Sequence, residues 1–186
     1  MNAPIDVTNI RIETPRLILR AWRDADLADF YEYASVPGVG ELAGWPHHES
    51  MDKSRAILKI FQDGKKTFAI VLKENNKVIG SLGLEEADRA NPEMEKKQGR
   101  EIGYVLSKDY WGRGLTPEAV KAVSAYCFEV LKFDFLTCGH SLWNHQSRRV
   151  VEKCGFHYMK DVPFTTRMGT QETEKLYYLY NEVNHV

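Results

Sequence analysis

The chain has 186 residues, of which 43% are hydrophobic and 27% charged, and its formal net charge is −1. This length and composition predict one globular domain over residues 1–186 with a substantial core. The nearly neutral charge argues against a nucleic-acid partner, and no apolar stretch is long enough to cross a membrane. The N-terminus lacks the pattern of a secretory signal, which favours a cytoplasmic protein.

The first half of the chain predicts three strands and two helices. Residues 1–12 show no clear periodicity and are interpreted as a loose lead-in. Alternating apolar side chains and helical periodicity then predict these elements in order: a strand at 16–22, a helix at 24–35, an irregular segment at 40–48, a helix at 50–62, and a hairpin of strands at 68–72 and 78–84. The charged segment 85–99 is interpreted as a solvated loop.

The second half predicts four further strands and two helices. These are a strand at 101–106, a helix from about 117, a strand at 135–139, a helix at 145–154 that Gly155 ends, and strands that begin at 156 and 176. The element order predicts a mixed α/β (α+β) domain with helices on both faces of one sheet. Three cysteines, Cys127, Cys138 and Cys154, fall in predicted elements, and their odd number and spacing favour reduced, buried thiols over disulfides or a zinc site.

A glycine-bearing turn joins the strand at 101–106 to the following helix. Gly112 and Gly114 allow the backbone to turn and to approach a ligand closely, while Thr116 and Pro117 suit the N-cap and first helical position. Such a turn presents N–H groups at the positive end of the helix dipole and predicts a phosphate site. Neither the P-loop pattern nor the dinucleotide fingerprint is present.

A second stretch, residues 142–156, follows one helix and one strand later. Asn144 occupies an N-cap position and Ser147 lies one turn further on. Taken alone, this pattern is explained by helix capping.

The two stretches, together with two others in register, resemble the GNAT superfamily of acyl-CoA-dependent N-acetyltransferases. The resemblance is strongest to its RimJ/RimL-type group, whose archetypes acetylate N-terminal amines of ribosomal proteins. The matching pieces are Glu13–Arg20 (ETPRLILR), Glu101–Tyr104 with Tyr110–Gly114, Glu118–Val120, and Asn144, Ser147 and Glu152–Phe156.

The resemblance implies a sheet of about seven strands that splays in the middle and holds acetyl-CoA in the gap, with no metal. Backbone groups of residues 104–106 would follow the pantetheine arm, the amides of residues 112–116 would bind the diphosphate, Asn144 would bind an amide of the arm, and Ser147 would lie near the sulfur. The implied cofactor-binding residues are Tyr104, Val105, Leu106, Trp111, Gly112, Arg113, Gly114, Leu115, Thr116, Asn144 and Ser147. Arg113 and Lys153 are also phosphate candidates, with solvent-facing and helix-end roles as their alternatives.

The resemblance also suggests catalytic roles. Glu101 is the candidate base, or a partner of Arg100 or Lys108 at the sheet end. Ser147 is the candidate acid toward the thiolate, or only a hydrogen-bond partner of the arm. His140 is a second-choice base, with a buried, hydrogen-bonded ring as the alternative. Tyr158 lies too early in its strand for the general-acid tyrosine of many relatives.

The acceptor amine is predicted less sharply than the donor. The segment 40–48 would form one wall of the acceptor side, with Trp45, His47 and His48 facing the amine, unless Trp45 fills the core. A protein N-terminal α-amine or a small amine is the expected acceptor, and dimerisation stays open. The alternative is a non-catalytic acyl-CoA-binding module.

Overall fold

The computed structural model describes residues 2–87 and 94–181. Its strands are β1 (Arg11–Glu13), β2 (Leu17–Ala21), β3 (Thr67–Leu72), β4 (Lys77–Glu85), β5 (Gly99–Leu106), β6 (Phe135–Ser141), β7 (His157–Thr165) and β8 (Gln171–Tyr180). Its α-helices are α1 (Leu27–Ala34), α2 (Met51–Gly64), α3 (Leu115–Glu129) and α4 (His145–Lys153).

All eight strands form one sheet in the order β1-β2-β3-β4-β5-β6-β8-β7. Every neighbouring pair is antiparallel except β5 and β6, which are parallel. The predicted mixed sheet is confirmed, with eight strands where the sequence predicted about seven. The additional strand is β1, which pairs with β2 and begins inside the segment interpreted as a lead-in.

The N-terminal segment is held against the sheet. Ala3 and Val7 are 0% and 2% exposed, and both belong to the core beneath α3. Their backbone N–H groups donate to the carbonyls of Gly99 (3.1 Å) and Lys65 (2.9 Å). The interpretation as a loose lead-in is therefore corrected. Isolated apolar residues anchored by backbone hydrogen bonds leave no periodic signal in the sequence.

The core lies on both faces of the sheet, as predicted. In β3, alternate side chains point to opposite faces. Phe68 and Ile70 pack with the apolar side of α3, whereas Ala69 and Val71 pack with residues of α1 and α2. Of the loop expected at 85–99, residues 88–93 lie outside the described residues, and Met94 is buried rather than solvated.

The sheet opens between β5 and β6. Their pairing joins Gly99–Glu101 to Phe135–Thr137, three residues from each strand. Beyond that point β5 stays paired with β4 as far as Leu106, and β6 stays paired with β8 as far as Ser141. Two strands that share a ladder for only three residues diverge afterwards, and this divergence forms the cleft that the family resemblance implied.

We predict that Gly80→Ala destabilises the fold, because its Cβ would lie 2.3 Å from the carbonyl oxygen of Val105 and would force β4 away from β5. The free energy of unfolding should fall by about 1–3 kcal/mol in denaturant titration. Gly103→Ala is the matched control, since its Cβ meets no atom within 4 Å. Equal stability of the two variants would contradict this packing.

Candidate active site

The glycine-bearing turn connects the end of β5 to α3. The indole N–H of Trp111 donates to the carbonyl of Leu106 (2.8 Å), which fixes the turn to the strand. Gly112 and Gly114 have φ angles of 75° and 74°, in the left-handed region that favours glycine. Helix α3 begins at Leu115 with Gly114 at its N-cap.

The predicted cap of α3 is wrong in detail. Thr116 lies inside the first helical turn, and the N-cap makes no side-chain hydrogen bond. Pro117 occupies the third helical position instead of the first. Its missing N–H still costs no intrahelical bond there, because the first N–H groups of a helix have no intrahelical acceptor. Gly114 takes the cap because a left-handed residue is needed to turn the chain into the helix.

Backbone N–H groups gather at this helix start. Glu118 N–H donates to the carbonyl of Gly114 (3.3 Å) and is the first intrahelical donor, so the amides of Leu115 and Thr116 before it have no intrahelical acceptor. Amides in this position lie at the positive end of the helix dipole and favour an anion. The turn therefore presents several backbone donors at the positive end of α3.

A salt bridge between Arg16, directly before β2, and Glu118 of α3 supports the turn. The guanidinium of Arg16 binds the carboxylate of Glu118 (2.6 Å) and donates to the carbonyl of Arg113 (2.9 Å). Thr14 donates its hydroxyl to the same carboxylate (2.6 Å). Burial opposes ionisation of Glu118, but the hydrogen bonds from Thr14 and Arg16 prevail and lower its pKa. We call this group of Thr14, Arg16 and Glu118 the turn clip.

The start of α4 forms the other side of the cleft. Asn144 accepts the backbone N–H of Ser147 (3.0 Å) as the N-cap of α4, and its Nδ2 donates to the carbonyl of Leu42 (3.0 Å). Asn144 is thus a cap, as its sequence position alone suggested, and it also ties α4 to the segment 40–48. Its amide keeps a second N–H for another acceptor.

Ser147 is bonded to a tyrosine of β5. The phenolic oxygen of Tyr104 lies 2.7 Å from Ser147 Oγ, and Ser147 is 8% exposed. Tyr104 packs against the core that contains Val151 of α4. The sequence pointed to the backbone of Tyr104 but gave no signal for this side-chain contact.

Glu101 lies on the face of the sheet opposite to the face that carries the side chain of Tyr104. Its neighbour Ile102 belongs to the core beneath α3, so the side chain of Glu101 points to the α1 and α2 face. Thr137 donates a long hydrogen bond to its carboxylate (3.5 Å) where β5 and β6 part. Arg100 donates to the carbonyl of Ala3 (2.6 Å), and Lys108 lies over the ring of Trp111 (5.8 Å).

His140 is 4% exposed at the end of β6. Its Nδ1 lies 2.9 Å from the carbonyl of Ser141, which requires a proton on Nδ1, and its Nε2 lies 3.3 Å from the hydroxyl of Tyr177. The ring also stacks on Tyr177 (5.3 Å). These contacts match the alternative of a buried, hydrogen-bonded histidine.

Comparison with known proteins identifies the family to which this architecture belongs. The family model for the acetyltransferase (GNAT) domain matches residues 16–157. The chain belongs to the GNAT acetyltransferase family. It is 30% identical over 148 residues to an uncharacterized N-acetyltransferase, p20, of Bacillus licheniformis, a match that covers 77% of this chain and 80% of that protein.

Solved structures share the fold. The GNAT-family acetyltransferase from Bacillus anthracis superposes with a TM-score of 0.79 at 23% identity, covering 93% of this chain and 99% of that one. The ribosomal-protein-S5-alanine acetyltransferase of Vibrio fischeri superposes with a TM-score of 0.70 at 18% identity, covering 94% and 98%. As a GNAT acetyltransferase, this chain uses acetyl-CoA as its cosubstrate.

In this acetyltransferase, the segment 40–48 lies against the α1 and α2 face. Trp45 is partly buried and packs on that core, while His47 Nδ1 lies 2.7 Å from the carboxylate of Glu41. Burial raises the pKa of Glu41, but hydrogen bonds from His47 and backbone N–H groups outweigh it and lower the pKa to about 2. His48 does not line a wall, because it is 4% exposed and bonded to Ser54 (2.7 Å).

The remaining predicted residues lie outside the cleft or in the core. Tyr158 is 52% exposed on β7 and donates to Asp161 (3.0 Å). Cys127, Cys138 and Cys154 are unpaired thiols, as expected, and burial raises the pKa of each. Within residues 2–87 and 94–181, no cluster of three or more metal-binding side chains occurs and no helix has the length and apolarity to span a membrane.

We predict that Glu118→Gln weakens the turn clip. The depressed pKa of Glu118 means that its stabilising contribution is fully present above the ordinary carboxyl value of 4.5 and is lost as the pH falls below it. At pH 7 the variant should lose about 1 kcal/mol of unfolding free energy, a value discounted for the half-exposed Arg16.

The difference in stability between the variant and the unmodified protein should shrink as the pH falls below 4.5 and disappear below the lowered pKa of Glu118. Glu129→Gln, on the exposed end of the same helix, is the control and should leave the pH profile unchanged. A Glu118→Gln deficit that stays constant down to pH 3 would contradict the assignment.

Proposed function

We propose that this acetyltransferase transfers an acetyl group from acetyl-CoA to a primary amine by direct attack in a ternary complex. The acceptor is a protein N-terminal α-amine, as in the RimJ/RimL-type group, or a small-molecule amine of similar pKa. The observation that carries the proposal is the divergence of β5 and β6 between an amide-lined turn and Ser147.

The pantetheine arm of acetyl-CoA would lie along the edge of β5 that is not paired with β6. Five residues of β5, Ile102–Leu106, follow the last pair with β6 and extend for about 16 Å at 3.3 Å per residue. A strand edge without a neighbouring ladder presents backbone donors and acceptors, and the amides of the arm can pair with them as a strand would. Gly103 is exposed in the middle of this edge, with no atom within 4 Å of its Cβ position.

The diphosphate would then bind the turn at the end of the same strand. The amides of Gly112–Thr116 supply donors, and the N-terminus of α3 favours the negative charge. Pro117 contributes no donor. Because each favourable group at a helix start is worth about 0.3–1 kcal/mol, this loss weakens binding modestly and does not abolish it.

Two side chains take the chemical roles in this proposal. Glu101 lies where the strands part and accepts the proton of the attacking amine, directly or through water. Ser147 lies across the cleft and stabilises the thiolate that leaves. Because Glu101 and Ser147 face opposite sides of the sheet, the acceptor would approach from the α1 and α2 face and the thioester sulfur would lie toward α4.

Acid–base energetics favour an α-amine acceptor. At pH 7 an α-amine with a pKa near 7.8 is about one-seventh neutral, and deprotonating it costs about 1 kcal/mol. A lysine amine with a pKa near 10.4 costs about 4.6 kcal/mol. A single carboxylate covers the first cost more readily than the second, so the easier acceptor is an amine of low pKa.

The second candidate is a non-catalytic module that binds acyl-CoA. The observation that separates the two is the joint placement of Glu101 and Ser147 at the cleft, which binding alone does not need. A module of this kind would bind acetyl-CoA and release no CoA thiol with any amine.

We predict that the protein releases CoA thiol from acetyl-CoA in the presence of amines and prefers N-terminal peptides over lysine side chains at pH 7. The measurement is thiol release across a panel of peptides with free or blocked N-termini, polyamines and other small amines. Acetyl-CoA affinity measured by calorimetry should be tighter than about millimolar, since the turn keeps most of its donors. Tight binding without release for every amine would favour the non-catalytic module.

We further predict that Glu101→Gln lowers kcat by about 10²–10⁴-fold with little change in acetyl-CoA affinity, because a general base contributes that much. The loss should shrink as the pH rises toward the pKa of the acceptor amine. Glu129→Gln is the matched control. Turnover of Glu101→Gln equal to that of the unmodified protein at pH 7 would remove Glu101 from the base role.

A further inference from the structure

Tyr104 bridges the two sides of the cleft through its side chain. Its phenolic oxygen lies 2.7 Å from Ser147 Oγ and 3.3 Å from the Ser147 carbonyl. A residue of β5 is thereby joined to the first turn of α4, although β5 and β6 have already parted at that level.

The direction of this hydrogen bond follows from the two hydroxyls. A phenol is a far stronger acid than an aliphatic hydroxyl and is the better donor. Burial, aided by Cys138, raises the pKa of Tyr104 well above its ordinary value, so the phenol keeps its proton. Either hydroxyl can donate in the 2.7 Å contact, and the phenol can also donate to the Ser147 carbonyl at 3.3 Å. The greater acidity of the phenol and the shorter distance favour donation to Oγ, which leaves the Ser147 proton free for another acceptor.

We propose that Tyr104 is a positioning residue. Its side chain does not contact the reacting atoms but orients the Ser147 hydroxyl toward the thioester sulfur. The inference rests on the proposed acetyl transfer and adds to it a residue that acts through Ser147. It assigns the bridge between β5 and α4 a role in leaving-group stabilisation.

The amine lone pair forms the N–C bond, the C–S bond breaks, and its electron pair remains on sulfur. The amine proton passes to Glu101 or to water. As sulfur gains charge, the hydrogen bond from Ser147 to it strengthens, and the bond from Tyr104 to Ser147 strengthens in turn. Tyr104 is not the proton source, because ionising a buried phenol is unfavourable.

The ionisable groups that act on Tyr104 are two thiols. They are Cys138 on β6 and Cys154 at the C-cap of α4. Burial raises the pKa of both, that of Cys154 to about 11, and the nearby charge of Glu101 raises the pKa of Cys138 further. The contribution of Tyr104 is therefore expected to be independent of pH between about 6.5 and 9.

The first test is Tyr104→Phe, which keeps the ring and removes the hydroxyl. We expect kcat to fall about tenfold and the KM for acetyl-CoA to change less than about twofold. The ratio of the two kcat values should stay constant between about pH 6.5 and 9. Tyr126→Phe, which removes a hydroxyl from α3, is the matched control and should leave kcat unchanged.

A double-mutant cycle separates positioning from general damage. In a Ser147→Ala background, Tyr104→Phe should have no further effect on kcat, because the group that it orients is gone. An equal tenfold loss in both backgrounds would overturn the proposal, as would a change in KM without a change in kcat.

A second readout needs no turnover. Bound CoA thiol should have a lower pKa than CoA in solution, because the oriented hydroxyl favours the thiolate, and Tyr104→Phe and Ser147→Ala should each raise it. Thiolate absorbance during a pH titration of the protein–CoA complex measures this. If no amine is acetylated but this pKa shift is present, the proposed function fails, and only the orientation of Ser147 by Tyr104 toward the bound sulfur stands. If turnover is present and neither kcat nor the pKa responds to Tyr104→Phe, the inference fails alone.

Discussion

The structure depends on the short parallel pairing of β5 and β6. Three residues on each strand share a ladder, and the strands then part while each remains fully held by its outer neighbour. Because β4 and β8 fix the two strands on their outer sides, the opening is a built feature of the sheet. Backbone groups along such an opening need partners, and in the proposed function the amides of the cosubstrate's arm would supply them.

This opening also divides the chemical groups between the two faces of the sheet. Glu101 points toward α1 and α2, whereas Tyr104 and Ser147 lie with α3 and α4. Strand alternation alone produces this division, since residues 101 and 104 of one strand differ by an odd number. In the proposed mechanism, amine activation by Glu101 and thiolate stabilisation by Ser147 would therefore occur on opposite sides of one thioester.

The amino-acid sequence was sufficient for the local parts of the site. The strand, turn and helix around Gly112 and Gly114, and the cap at Asn144, depend on neighbouring residues and were predicted in the right places. The cap of α3 was assigned to Thr116 because its side chain suits the position. The left-handed geometry of Gly114 decided otherwise.

Local sequence patterns could not predict the contacts between residues far apart in the chain. The turn clip joins residues about a hundred positions apart, and Asn144 meets Leu42 across a similar separation. Tyr104 and Ser147 are 43 positions apart, and nothing in the local pattern of β5 indicates a partner on α4. His48 was expected at the acceptor wall, but its ring is buried and contacts the rings of Phe30 and Trp45, each at 5.2 Å between centroids.

Amide hydrogen exchange with and without acetyl-CoA reports whether the cosubstrate binds along β5 and at the turn before α3. If the arm lies along β5 and the diphosphate binds the turn, exchange should slow selectively in residues 104–106 and 112–116, with β1, β2 and β7 unchanged. Saturating acetyl-CoA that leaves both segments exchanging at their original rates would contradict the account.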